Sequence, residues 1–130
     1  LYFDSINDYC KENGMKYLPF VGTIEGRPSV LKGTMEEIIE QGKQCLAKGV
    51  AGFDLLGYRY VGDAVELNRR FVAETPAPVV LAGSVNSYQR LDEVKAANPW
   101  AFTIGGAFFE NKFDGTFAEQ IDKVVDYINK

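Results

Sequence analysis

The chain has 130 residues, of which 46% are hydrophobic and 25% charged, and a formal net charge of -4. That length supports one globular domain with its own core, spanning residues 1–130, and the acidic balance without a basic stripe excludes a nucleic-acid surface. No apolar run nears the roughly 20 residues of a membrane span and nothing resembles a signal peptide, so no membrane partner and a cytoplasmic setting are expected.

Histidine is absent. Ser-His-Asp chemistry, Cys-His chemistry and His-ligated zinc are therefore excluded within the chain, and acid–base work falls to Asp, Glu, Lys, Tyr or Cys. Cys10 and Cys45 lack metal spacing and a disulfide-rich context, so they read as reduced, buried thiols, and no metal site is expected. The chain begins at Leu1 instead of methionine, which suggests a piece of a longer protein.

Helical and extended patterns alternate along the chain. Ile6, Tyr9 and Cys10 form a helical stripe that ends toward Gly14. Lys16 to Gly22 is an apolar run read as the first strand. Thr34 with Glu37 makes a capping box ahead of Met35, Ile38, Ile39, Cys45 and Leu46, a helix closed by Gly49. Val50 to Leu56 reads as the second strand. Asp63 with Glu66 opens a helix that buries Ala64, Leu67, Phe71 and Val72, while Arg69 and Arg70 fall on its solvated face. Pro78 leads into a third strand, Val79 to Ala82. Ser87 caps a helix containing Leu91 and Val94 that stops before Asn98-Pro99. Trp100 to Ile104 is the fourth strand. Thr116 with Glu119 is a second capping box, starting a last helix through Phe117, Ile121, Val124, Val125 and Ile128. Trp100, Phe102, Phe108 and Phe109 read as core and inter-element packing.

One helix followed by four strand–helix units is an α/β pattern, with parallel strands joined by right-handed crossovers. It fits a small doubly wound sheet or four strands of a (β/α)8 barrel. The barrel reading, a parallel (βα)4 half carrying strands 5–8, is favoured by the small-residue ends of the last two strands, because a barrel's phosphate site lies after strands seven and eight. Val79-Val80-Leu81-Ala82-Gly83-Ser84-Val85 and Thr103-Ile104-Gly105-Gly106-Ala107-Phe108 each end an apolar run in small residues before a helix start. Such ends leave N–H groups bare for an anion, or simply permit tight strand-to-helix turns.

The segments Ala82-Gly83-Ser84-Val85-Asn86-Ser87 and Ile104-Gly105-Gly106-Ala107-Phe108-Phe109, with Glu110-Asn111-Lys112-Phe113 after them, resemble the ribulose-phosphate-binding barrels. The likeness is to the C-terminal halves of the two sugar-phosphate enzymes of histidine biosynthesis. It implies a phosphate held by backbone N–H groups of Gly83, Ser84, Gly105 and Gly106. Flavin-dependent barrels use nearly the same arrangement, so FMN is a possible cofactor although none is required. The family's catalytic aspartate would stand in Phe20-Val21-Gly22-Thr23-Ile24, where there is none, so the isomerase or cyclase activity itself does not carry over.

Strand alternation selects other candidates. In Val50 to Leu56, Asp54 shares a face with Gly52 and Leu56, and reads as a general acid or base or as a structural aspartate. Thr23 and Glu25 share a face near the end of the first strand; Glu25 is a second acid–base group or a solvated turn residue, and Thr23 a substrate contact. Lys32 in the same loop could hold an anion or pair with a carboxylate. Tyr58-Arg59-Tyr60 could stack on a ring and contact a second phosphate or carboxylate, with Arg59 as the binding cation. The expected function is a phosphate-ligand-binding barrel enzyme of isomerase, epimerase or lyase type, acting on a phosphorylated small molecule. The alternatives are an FMN-dependent oxidoreductase and a non-enzymatic half-barrel scaffold. Open sheet edges further predict a homodimer or a missing N-terminal half.

Overall fold

The helices form where their caps and apolar stripes place them. A computed structural model describes residues 1 to 130. It contains α1 (Asp4–Glu12), β1 (Thr23–Glu25), β2 (Val30–Lys32), α2 (Met35–Ala47), β3 (Phe53–Leu55), a 3-10 turn (Gly57–Arg59), α3 (Ala64–Glu74), β4 (Val79–Leu81), α4 (Tyr88–Ala97), β5 (Ala101–Phe102), α5 (Gly106–Phe109) and α6 (Phe117–Ile128).

Both capping boxes are complete. Thr34 Oγ1 accepts from Glu37 N at 3.1 Å while the Glu37 carboxylate accepts from Thr34 N at 3.0 Å. Thr116 and Glu119 repeat the exchange at the start of α6. Asp63 and Ser87 cap α3 and α4 one way, accepting from Glu66 N and Arg90 N. Each such cap contributes about 1 kcal/mol. Asn98, at φ 55 and ψ 49, closes α4 in the left-handed conformation.

Two small sheets hold the strands. β3, β4 and β5 form a parallel three-stranded sheet in that order, and β1 and β2 form a separate antiparallel pair. Phe53 and Asp54 lie opposite Val79 and Val80, Leu55 and Leu81 pair next, and Val80 and Leu81 lie opposite Ala101 and Phe102. Residues in register share a face. Phe53, Leu55, Val79 and Leu81 are at most 1% exposed, and the Phe53 ring meets Phe71 of α3 edge-on at 5.2 Å. The helices therefore cover this face. On the other face Asp54, Val80 and Ala101 are only partly buried.

This architecture overturns the half-barrel reading. The parallel sheet has three strands instead of four, and β1 and β2 pair antiparallel in a separate sheet, so no four-stranded (βα)4 unit forms. The stretch from Lys16 to Gly22 is not a strand. It lies along β3, with Ala51 N donating to Tyr17 O and Asp54 N donating to Pro19 O, and makes a single bridge, Phe20 to Asp54. Pro19 has no N–H, so it cannot donate to a ladder there. Gly22, at φ 82, then turns the chain into the antiparallel β1–β2 hairpin, so Thr23 and Glu25 do not end a parallel strand, and Lys32 lies in β2 instead of a loop. With the barrel go the likeness to the ribulose-phosphate-binding barrels as a fold and the three functions built on it: phosphosugar enzyme, FMN oxidoreductase and half-barrel scaffold. The phosphate cradle that a barrel builds at strands seven and eight is likewise not present as barrel architecture.

Side-chain placement is mixed. Leu67 and Phe71 are fully buried, and Cys10 and Cys45 are free and buried. Arg69 and Arg70 lie on the outer face of α3 in ion pairs with Glu66, Glu74 and Glu36. Trp100 and Phe109, expected to pack inside, are 71% and 81% exposed. Trp100 immediately precedes the edge strand β5, and Phe109 ends the short α5, its ring 5.1 Å from that of Phe117. No helix is long and apolar enough to cross a membrane.

The Phe53–Phe71 contact joins sheet and helix layer, so its loss should be felt globally. Phe53→Ala should lower the unfolding free energy by about 3–5 kcal/mol, the range for deleting a buried phenylalanine. Urea denaturation followed by circular dichroism measures it, and a negligible change would show that the core does not rest on this ring.

Candidate functional site

Two neighbouring parallel strands deliver their following loops to the same end of the sheet, and a crevice opens between them. It has a volume of about 280 Å³ and is lined by Gly83, Ser84, Val85 and Asn86 after β4, Thr103 to Ala107 after β5, Arg59 and Glu110. The four residues for which backbone anion contacts were expected, Gly83, Ser84, Gly105 and Gly106, are thus brought together.

The β4–α4 loop is held in an uncommon shape. Gly83 has φ 84 and Ser84 φ 60, consecutive left-handed residues. For serine this conformation carries a strain of about 1 kcal/mol or more and persists only where surroundings enforce it. Arg90 enforces it from the first turn of α4: its Nη1 donates to Ser84 O and to Asn86 Oδ1. The guanidinium of Arg90 also lies over the Tyr58 ring, 4.7 Å from its centroid. Tyr58 in turn donates to Glu93 Oε2 at 2.9 Å. Burial, with Glu93 alongside, pushes the Tyr58 phenol well above its usual range, so it stays a neutral donor.

Gln120 anchors the chain that follows the other wall. Although 1% exposed, its carbonyl accepts from Phe113 N and its amide donates to Phe108 O and Gly115 O. It fixes the chain between α5 and α6. The backbone bonds outside regular elements include none donated by Gly83 to Asn86 or by Ile104 to Ala107. Gly83 to Asn86 and Ile104 to Ala107 therefore keep their N–H groups free of backbone partners.

Arg59 gives the crevice its charge. The 3-10 turn after β3 carries it there, where Nη1 donates to Ser29 O at 3.3 Å. Its Nε is sealed from solvent without a partner, and none of the six ion pairs in the protein includes it. A Cβ on Gly83 would stand 3.2 Å from Arg59 Nε and from Leu56 Cδ2. Glycine at this position lets the guanidinium lie against the strand end. Glu110, on the rim, has Lys112 at 3.9 Å.

The other candidates fall elsewhere. Glu25 pairs with Lys32 at 2.8 Å across the β1–β2 hairpin, both half-exposed. Thr23 and Lys32 line a different groove, beside Gly33, Glu37 and Gln41. Tyr60 donates to Gly33 O and, like Tyr58, serves the scaffold. Asp54 does not line the crevice. It sits on the uncovered sheet face, its Oδ1 buried and unpartnered, and burial pushes its carboxyl above the usual carboxylate range, with the Leu1 ammonium partly opposing. Sequence reasoning missed Thr103, Asn86 and Glu110 as lining residues; their adjacency to the two small-residue runs was the available signal. No protein-family model matches the chain, and no curated protein does.

A raised native value means that, between the ordinary carboxylate range and that value, the folded protein keeps a proton the unfolded chain has lost. Stability from this group is thus present at low pH and falls as pH rises through that interval. Asp54→Asn should therefore melt above the parent at pH 7, and the gap should shrink as pH is lowered to about 4. Thermal melts at the two pH values test it; a gap independent of pH would remove the buried charge as its cause.

Proposed function

We propose that this protein is a binding domain for a small molecule bearing an oxyanion, held in the crevice between the β4–α4 and β5–α5 connections. One observation carries the reading: Arg59 lines the crevice with its Nε buried and unpartnered, and its guanidinium is in no ion pair. A partly buried guanidinium with an unpartnered N–H and no ion pair is costly, and an incoming oxyanion would supply the missing acceptor and charge. Backbone N–H groups of Gly83, Ser84, Gly105 and Gly106 would donate to the remaining oxygens, and the glycines allow close approach. Asn86 adds an amide whose oxygen already accepts from Arg90, leaving its nitrogen free to donate.

The reading is one of binding, and no catalytic step is assigned. Glu25 and Lys32 neutralise each other outside the crevice, which argues against their acting on a ligand there. The free thiols of Cys10 and Cys45 support a reducing, cytoplasmic setting.

Isothermal titration with sulfate and with inorganic phosphate tests the proposal. Arg59→Gln should weaken binding by about 10-fold or more, the loss of one charge-assisted contact. Binding that is unchanged in a variant with parental circular dichroism, or absent in the parent at millimolar anion, would overturn it.

A further inference from the structure

We infer that Asn68 is a positioning residue of the crevice: its side-chain amide seats the 3-10 turn that carries Arg59. This rests on the oxyanion reading above and adds what holds the cation in place before a ligand arrives.

Asn68 belongs to the buried stripe of α3 with Leu67 and Phe71, and is 2% exposed. Neither its Oδ1 nor its Nδ2 has a hydrogen-bond partner, and both are sealed from solvent. An amide buried in this way is costly, and an apolar side chain at the same place would avoid the cost. What the amide meets is Gly57, the first residue of the 3-10 turn. A Cβ on Gly57 would collide with Asn68 Oδ1 and stand 2.5 Å from its Cγ and 2.8 Å from its Nδ2. Gly57 is not among the glycines with positive φ, so space and not backbone conformation excludes a side chain there. The hydrogen that glycine carries in the Cβ direction points at the Asn68 oxygen, a weak C–H···O contact.

The turn transmits this contact to Arg59. Gly57 O accepts from Tyr60 N at 3.2 Å, and Leu56 O accepts from Arg59 N at 3.1 Å. These two bonds enclose Gly57, Tyr58 and Arg59, so the three shift together. Tyr58 is tied to α4 through Glu93 and the Arg90 guanidinium. Asn68 supplies the matching support from α3. Its removal would let the turn sink toward that helix and draw Arg59 back from the strand end at Gly83.

The test compares the parent with Asn68→Ala, in which the high helix propensity of alanine favours an intact α3. Affinity for inorganic phosphate is measured by isothermal titration, and hydrogen exchange of the Arg59 Nε–H by NMR. That nitrogen is sealed from solvent in the parent, so its proton should exchange slowly. In Asn68→Ala it should exchange about 10-fold faster. Phosphate should bind about 3-fold more weakly, a loss no larger than that of Arg59→Gln. Gly57→Ala forces the turn off the same seat; it should produce both changes and stands in if Asn68→Ala does not fold. Weaker binding with unchanged Arg59 exchange would overturn the inference, because the effect would not pass through the guanidinium. Unchanged binding overturns it as well, and leaves the oxyanion reading intact when Arg59→Gln still weakens phosphate binding. If the parent binds no phosphate, both readings fall.

Discussion

One-sided burial of the three-stranded parallel sheet governs this molecule. Phe53, Leu55, Val79 and Leu81 project toward the helices and are sealed there, while their neighbours Asp54 and Val80 project the other way and remain partly exposed. β3, β4 and β5 add to the sheet in one direction, so their right-handed crossovers return over the same face. The helices α2, α3 and α4 therefore lie side by side behind the sheet, and all strand ends point one way. The crevice is a consequence: two adjacent strand ends must release two adjacent loops.

What makes those loops a site is the way unlike residues are restrained around them. Arg90 spends its hydrogen bonds on Ser84 O and Asn86 Oδ1 of the β4–α4 wall, and Gln120 ties down the chain that follows the other wall, through Phe108 and Phe113. Arg59 is the exception among the charged residues near the strand ends. Arg69 and Arg70 are paired on the helix surface, and Lys32 is paired on the hairpin. A cation left out of every ion pair, beside N–H groups without backbone partners, is the feature on which the proposed anion site rests.

The helices were legible because their signals are local. Thr34 with Glu37 and Thr116 with Glu119 specify both the start and the reciprocal cap, and both boxes form. The strands at Val79 and Phe53 were legible as apolar runs, although each is shorter than its run. The Lys16–Gly22 strand failed because apolar character does not report donors, and Pro19 has none to give. The hairpin escaped notice because three-residue strands around Gly26 and Pro28 carry almost no periodic signal. Trp100 and Phe109 misled for a related reason: a large aromatic side chain is apolar wherever it points. Of the site, the glycine-bearing loops were visible as runs of small residues. The separation of Glu25 and Lys32 from the crevice was not, since both follow a strand-like segment in the same way that Arg59 does.

By itself the sequence determined the alternation of helices with short apolar strands, the caps that bound the helices, the exclusion of histidine chemistry, and the small-residue loops that can admit an anion. These are consequences of residue type and spacing within a few positions. Only the tertiary structure decided that the sheet stays open, that the first apolar run does not join it, that Arg59 stands unpaired beside Gly83, and that Asp54 faces away from the helices. Closure and pairing depend on which edges and charges meet across many residues. A repeated strand–helix pattern is the same for a sheet that closes and one that does not.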